Sequence, residues 1–244
     1  MSRPRSAAEP EHWLAGRGAV VTGASRGIGA GTAEAIAATG AHVTLAARDG
    51  TALDAVAARI RDAGGKATAV PTDVRRPEDV QRLFAAAGTA TALVCAAGVL
   101  TSAPFAETTT EVWEETVGVN LTGAFLCCRE AFTPMRAAGE GRIVNIASLS
   151  GVYATEKFPG LAAYNASKYG VVGLTEAIAV EGRAYGISAI CISPGAVDTE
   201  MLRRANPELR PGLKPPDVAR LIVALLDSPL APASGANIPL FSNA

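Results

Sequence analysis

The chain is short of every feature that would take it out of the ordinary globular class. It has only four cysteines, Cys95, Cys127, Cys128 and Cys191, and none stands in a metal-ligand spacing, so no metal is expected. Cys127 and Cys128 are neighbours in a helical stretch, where adjacent side chains diverge and no disulfide is expected between them. All four read as small buried hydrophobes in a reducing compartment. Met1 to Trp13 contains two arginines and two prolines but no apolar h-region, and is not read as a secretory signal. The longest strongly apolar run, Leu221 to Leu226, is far too short to span a bilayer. A net charge of −1 gives no reason to expect nucleic acid or an anionic membrane as a partner. Low-complexity linkers, internal repeats and a second set of elements are absent as well. A cytoplasmic location is expected.

What is present is enough apolar sequence for one extensive core: 49% hydrophobic against 18% charged residues over a chain of 244. Residues 1–16 read as a flexible extension and 17–244 as a single domain. Short β-branched runs alternate with longer helical patterns. Strands are expected over Ala19–Val21, His42–Ala46, Ala67–Val70, Ala92–Cys95, Ile143–Ile146, Ile187–Ile192 and Asn237–Phe241. Between them fall helices ending near Thr39, over Leu53–Ala63 and Pro77–Ala87, and one long helix from near Glu111 to Met135. Another follows Pro159-Gly160, and a last one opens at Pro215-Pro216-Asp217. Such alternation implies a doubly wound α/β fold with a parallel sheet of about seven strands and helices on both faces. Ligands of such sheets bind at the carboxyl ends of the strands.

Thr22-Gly23-Ala24-Ser25-Arg26-Gly27-Ile28-Gly29 lies between the first strand and the first helix. Its glycines permit a tight turn and close backbone approach, so that a diphosphate can meet the helix N-terminus and its free N–H groups. The spacing is G-x-x-x-G-x-G, not G-x-G-x-x-G. Gly23, Ser25, Arg26, Gly27, Ile28 and Gly29 are therefore candidate dinucleotide contacts. The second strand ends Leu45-Ala46-Ala47-Arg48-Asp49, where a free ribose 2′-OH meets a carboxylate and a 2′-phosphate meets arginine. Ala47 occupies the carboxylate position, leaving Arg48 beside the ribose, and Arg26 is expected to project towards the same place. Two guanidiniums can clamp a phosphate, which points to NADP. The alternative gives the ribose to Asp49 and makes the cofactor NAD, although Asp49 is also a good N-cap for the next helix. Asp73, with Val74 after it, is placed to accept hydrogen bonds around the adenine, or to form the turn there.

Lys168 follows Tyr164 by four residues, one turn along a helix and on the same face. A cation fixed there is expected to lower the phenol's pKa and fit Tyr164 for proton transfer. With the Gly-rich loop, Asp73, Ser148, Tyr164 and Lys168 all in order, the chain resembles the short-chain dehydrogenase/reductase family, including its 3-oxoacyl-carrier-protein reductases. The resemblance runs from about Arg17 to the C-terminus. It implies a Rossmann-type domain assembled as a homodimer or homotetramer, and a catalytic tetrad of Asn120, Ser148, Tyr164 and Lys168. Tyr164 would protonate the nascent alkoxide or act as base in reverse. Lys168 would bind the nicotinamide ribose, Ser148 would hydrogen-bond the substrate carbonyl, and Asn120 would hold a water that relays protons to Lys168. Ala97-Gly98, and Pro194, Gly195, Val197, Thr199 and Met201, match segments that contact the cofactor.

Three departures stand out. Cys95-Ala96-Ala97-Gly98 replaces the common Asn-Asn-Ala-Gly, so the usual side-chain amide bonds must be replaced or absent. The Gly88–Thr91 link is short and lacks Gly-x-x-Asp. Ser148 and Tyr164 are 16 residues apart, giving an enlarged loop. Substrate contacts are expected from Val99–Phe105, Val152–Gly160 and a lid over 198–214, a mainly apolar set. The implied activity is NADP-dependent reduction of a small-molecule ketone or oxidation of a secondary alcohol. The alternatives are an NAD-dependent alcohol dehydrogenase and a non-catalytic dinucleotide-binding protein. The lid arginines Arg203, Arg204 and Arg210, with Lys214, could meet a carrier-linked acyl group or simply face solvent.

Overall fold

The computed structural model describes residues 12–228 and 231–242. Seven parallel strands form one sheet: β1 Gly18–Thr22, β2 His42–Ala47, β3 Lys66–Pro71, β4 Ala90–Cys95, β5 Gly141–Ile146, β6 Ile187–Pro194 and β7 Asn237–Leu240. Their order across the sheet is β3-β2-β1-β4-β5-β6-β7. The chain winds outward from β1 in both directions, so the β1/β4 boundary is the place where successive crossovers leave on opposite sides. A crevice opens there above the strand ends.

The helices are α1 Gly27–Ala38, α2 Gly50–Asp62, α3 Pro77–Ala87, α4 Thr110–Val117, α5 Gly123–Ala138, α6 Ala162–Gly182, α7 Glu200–Ala205 and α8 Pro215–Asp227. Period-two alternation divides the strands between two cores. Ala19 and Val21 of β1 face α1, α2 and α8, while Val20 between them faces α3, α5 and α6. Both faces are covered, which is why the strands read as nearly unbroken apolar runs.

Some elements differ from the sequence expectation. The single long helix near Glu111–Met135 is two helices joined by a π-helical turn at Gly118–Thr122, and the second continues through Pro134 to Ala138. A five-residue turn of this kind has no signature in hydrophobic period, and such bulges recur at functional sites. The segment 198–214, expected as a lid, contains a short helix, α7, capped by the Thr199 hydroxyl, which accepts from the Leu202 N–H at 3.2 Å. Of the expected 1–16 extension, residues 1–11 lie outside the described residues, whereas Leu14 is fully buried and its N–H donates to Asp227 of α8 at 3.3 Å. Trp13 packs there too, beneath the Arg142 and Arg17 guanidiniums. All four cysteines are free and buried, as expected.

The turn after β1 depends on backbone contact. Gly23 has φ +65, and a Cβ there would come within 2.6 Å of the Ala96 carbonyl after β4. A Cβ on Gly29 would sit 2.2 Å from the Gly23 carbonyl oxygen, with no flexible side chain to yield. Gly29→Ala should therefore destabilise the domain by roughly 1–3 kcal/mol. That corresponds to a thermal midpoint several degrees lower in scanning calorimetry; an unchanged midpoint would refute this account of the turn.

Candidate active site

The crevice above the strand ends is one cavity of about 1270 Å³. That exceeds the usual 300–1,000 Å³ of a small-molecule pocket and leaves room for a dinucleotide with a second ligand beside it. Every candidate cofactor residue lines it: Gly23, Ser25, Arg26, Gly27, Ile28 and Gly29 from the turn, Arg48 after β2, Asp73 and Val74 after β3, and Ala97 and Gly98 after β4. Pro194, Gly195, Val197, Thr199 and Met201, after β6, complete the wall. Ser148, Tyr164 and Lys168 line the same cavity, whereas Asn120 does not.

The glycine turn fits a diphosphate. Helix α1 begins with neither a side-chain cap nor an acidic residue in its first turn, so its leading N–H groups face the crevice uncapped. The absent Asn-Asn amides are replaced on the β1 side: the Thr22 hydroxyl accepts from the N–H groups of both Ala96 and Ala97 at 3.2 Å. On the β4 side, the Cys95 and Cys128 thiols lie 3.9 Å apart, and the Cys128 thiol donates to Asn145 at 3.5 Å. Asn145 in turn donates to Thr175 of α6 at 3.0 Å. This buried chain couples β4, α5, β5 and α6. Neither Asn145 nor Thr175 stood out in the sequence, because a polar residue inside a strand or helix shows its partner only after folding.

Helix α6 carries the central groups. Tyr164, Ser167 and Lys168 are all buried on one face. The Lys168 Nζ donates to the Ile146 carbonyl at 2.9 Å and lies 5.6 Å from the centroid of the Tyr164 ring. Burial pushes the Lys168 pKa down to about 8. An unfolded lysine keeps its proton to about 10.5, so the buried ammonium lowers stability below about pH 8, and this cost fades between pH 8 and 10.5. The Tyr164 pKa is not lowered by its neighbour as expected. Burial raises it, against a smaller downward pull from the Ser148 hydroxyl. Desolvation penalises phenolate, and Lys168 is not among the groups that pull the value down, so Tyr164 is a protonated phenol at neutral pH.

The Asn120 side chain is fully engaged. Its Oδ1 accepts from the Val99 N–H at 2.8 Å, and its Nδ2 donates to the Val99 carbonyl and to Ser167, each at 3.0 Å. Standing on the π-helical turn, it braces the segment after β4 against α6 from behind. Gly98 lies between it and the cavity: a Cβ at Gly98 would be 3.4 Å from Asn120 Oδ1 and 3.7 Å from Lys168 Nζ.

The enlarged loop after Ser148 is held by a group the sequence did not single out. Lys157 donates to the carbonyls of Val152 at 2.7 Å, Thr155 at 3.0 Å and Leu149 at 3.3 Å, and to the Thr155 hydroxyl at 2.5 Å. The Tyr169 hydroxyl of α6 joins at the Val152 carbonyl, 3.0 Å away. Gly151 sits directly on α6, where a Cβ would meet the Lys168 carbonyl at 2.6 Å. These contacts set Ser148 opposite Tyr164.

Two expected pairings differ. Arg26 does not turn towards Arg48; its guanidinium is bound to Glu200 of the lid helix at 2.7 Å. Arg48 faces Glu115 at 3.8 Å, both half exposed. Asp49 caps α2, accepting from the Ala52 N–H at 3.0 Å. The Asp73 carboxylate is held by Arg75 at 2.6–3.1 Å, which keeps its pKa below the ordinary value.

The short chain dehydrogenase family profile matches residues 17–210. The 3-oxoacyl-[acyl-carrier-protein] reductase of Synechocystis is 38% identical over 195 residues, 78% of each chain. The cis-4-hydroxycyclohexanecarboxylate dehydrogenase of Sinomonas cyclohexanicum is 38% identical over 203 residues, 81% of this chain and 80% of that one. A Beutenbergia cavernae crystal structure with NADP bound at low occupancy superposes with a TM-score of 0.86 at 35% identity, covering 94% of this chain and 96% of the other. Fold, crevice and sequence agree: the chain belongs to the short-chain dehydrogenase/reductase family and is an NAD(P)-dependent oxidoreductase.

Proposed function

We propose that the protein is an NADP-dependent ketone reductase, and in reverse a secondary-alcohol dehydrogenase, with Tyr164 as its proton-transfer residue. The observation that carries this reading is the convergence of Tyr164, Ser148 and Lys168 on one wall of a cavity whose other end is the glycine turn. Gly23, Ser25, Gly27, Ile28 and Gly29 hold the diphosphate, and Val74, Ala97, Gly98, Pro194, Gly195, Val197, Thr199 and Met201 line the rest of the cofactor's path. The bound nicotinamide supplies or takes up the hydride. The Ser148 hydroxyl orients the substrate oxygen and Tyr164 protonates it. Lys168 holds the nicotinamide ribose and supplies positive charge. Asn120 acts through its grip on Val99 and Ser167, keeping the segment after β4 at its distance from α6.

For NADP over NAD, the support is Arg48 together with the engagement of Asp49 in capping α2, since a carboxylate spent on a helix terminus is not free for ribose hydroxyls. Arg26 joins the phosphate once it leaves Glu200. The substrate is a small-molecule carbonyl or alcohol and the location cytoplasmic. Assembly is as a homodimer or homotetramer, in keeping with the half-exposed Trp113, Phe125, Tyr169 and Tyr185 on α4, the α5–α6 side and its border. Among the described residues no helix is long and apolar enough to cross a membrane.

Three outcomes are expected. Fluorescence titration should show tighter binding of NADPH than NADH, with the preference reduced in Arg48→Ala; tighter NADH binding would return the ribose to Asp49. Tyr164→Phe should lose roughly 10²–10⁴-fold in turnover with NADPH affinity unchanged, and full activity would remove Tyr164 from its role. Because Lys168 loses its proton near pH 8, kcat/KM for reduction should fall as pH rises through that value. In Lys168→Arg, which keeps its charge, that limb should move to higher pH; a limb unmoved would assign it to another group.

A further inference from the structure

Resting on the oxidoreductase reading above, we infer that the substrate is an uncharged, predominantly hydrocarbon ketone carrying an aliphatic or aromatic ring, and not a polyol, a sugar acid or a phosphate-bearing compound. The argument comes from the half of the cavity beyond Ser148 and Tyr164. Its walls are Leu100, Val152, Tyr153, Phe158, Met201 and Phe241, all lining the same space as the proton-transfer pair. Four of these expose large apolar surface: Tyr153 87%, Phe241 61%, Phe158 48% and Met201 38%. Bare aromatic faces on two segments around one opening, the loop after Ser148 and the end of β7, mark a surface that a ligand covers. Flat faces from the Tyr153–Phe158 loop and from Phe241 suit a ring held between them.

The charged groups agree. Glu156 stands exposed at this end of the cavity and would repel an anion. Arg204 is the only one of the four lid cations that lines the cavity, and it shares Glu200 with Arg26 of the glycine turn, which draws it towards that end. Arg203 is turned to Asp198 at 3.2 Å. Lys157, next along from Glu156, spends its ammonium on the carbonyls of its own loop. Among the described residues, the loop that carries Tyr153 and Phe158 therefore has no free cation to hold a carboxylate or phosphate.

The neutral polar groups agree as well. The Thr155 hydroxyl donates to the Leu149 carbonyl, the Ser242 hydroxyl accepts from the Ala196 N–H, and the Asn206 oxygen accepts from the Glu208 N–H. Thr101, Ser102 and Ser150 remain, with the donor side of Ser242 and Asn206, a sparse polar set beside the apolar walls. A polyol would lose water here and recover few hydrogen bonds, whereas a hydrocarbon ring gains about 25 cal/mol for each Å² covered. In the reaction the carbonyl carbon gains a hydride and the oxygen a proton from Tyr164, with NADPH converted to NADP+ and the apolar portion left unchanged.

The test is a panel of ketones with NADPH: 1-tetralone and 4-tert-butylcyclohexanone against 5-keto-D-gluconate, dihydroxyacetone and acetoacetyl-CoA. The ring ketones should be reduced with kcat/KM at least about 10-fold higher, a difference of about 1.4 kcal/mol. Preference for a polar or thioester ketone overturns this inference and leaves the oxidoreductase reading standing, while reduction of none overturns both. Phe158→Ala, and separately Phe241→Ala, should weaken 1-tetralone binding about 10-fold by calorimetry on the NADP complex, with KM for NADPH unchanged. Both side chains are exposed, so folding is spared. Unchanged tetralone affinity in both variants would overturn the inference.

Discussion

Backbone-to-backbone contact along the carboxyl edge of the sheet is the constraint on which the rest of the site depends. Gly23 touches Ala96 across the β1/β4 boundary, Gly29 touches Gly23, and Gly151 touches Lys168. At each, the approach is too close for a Cβ, and the atoms it would meet belong to the backbone. The first two contacts open α1 towards the crevice with its N–H groups uncapped. The third seats the Ser148 loop on α6. The cavity is therefore a product of the scaffold, and side chains only finish it.

Burial then decides the chemistry. Tyr164 and Lys168 are adjacent on one face, but both are out of water, and desolvation moves each towards its neutral form. The tyrosine stays protonated and the lysine gives up its proton more readily than in solution. A protonated phenol is the form suited to delivering a proton to a carbonyl oxygen. The same burial makes the supporting hydrogen bonds costly to leave unmade, which is why Asn120, Asn145, Thr175 and Ser167 are all paired.

Charge is arranged differently on the two sides of the cavity. Beside the glycine turn the cations are engaged in exposed pairs, Arg26 with Glu200 and Arg48 with Glu115, in which solvent screens the attraction and little free energy holds the partners together. A phosphate can displace such carboxylates. Around the loop after Ser148, Lys157 and Thr155 are spent on that loop's own carbonyls, and much of the open surface is aromatic. Glu200 lies on α7, so its ion pair with Arg26 also ties the glycine turn to that helix.

The sequence by itself determined the fold class, the order of elements, the glycine turn, and the identities of Ser148, Tyr164 and Lys168, because strand-helix alternation and a four-residue spacing are local and periodic. It also led to the cavity-lining residues of each strand end. Only the tertiary structure decided the sign of the Tyr164 shift, which depends on how much water the surrounding elements exclude. It likewise decided that Asn120 braces Val99 from behind, that Arg26 goes to Glu200, and that Lys157 gathers its own loop. These partners lie from 2 to 174 positions apart in the chain, and nothing in a residue's type tells which acceptor a long flexible side chain will meet. A break of helix period at Gly118–Thr122 left no trace in hydrophobic pattern either, since Val119 and Asn120 are both buried whichever hydrogen-bond register the backbone adopts.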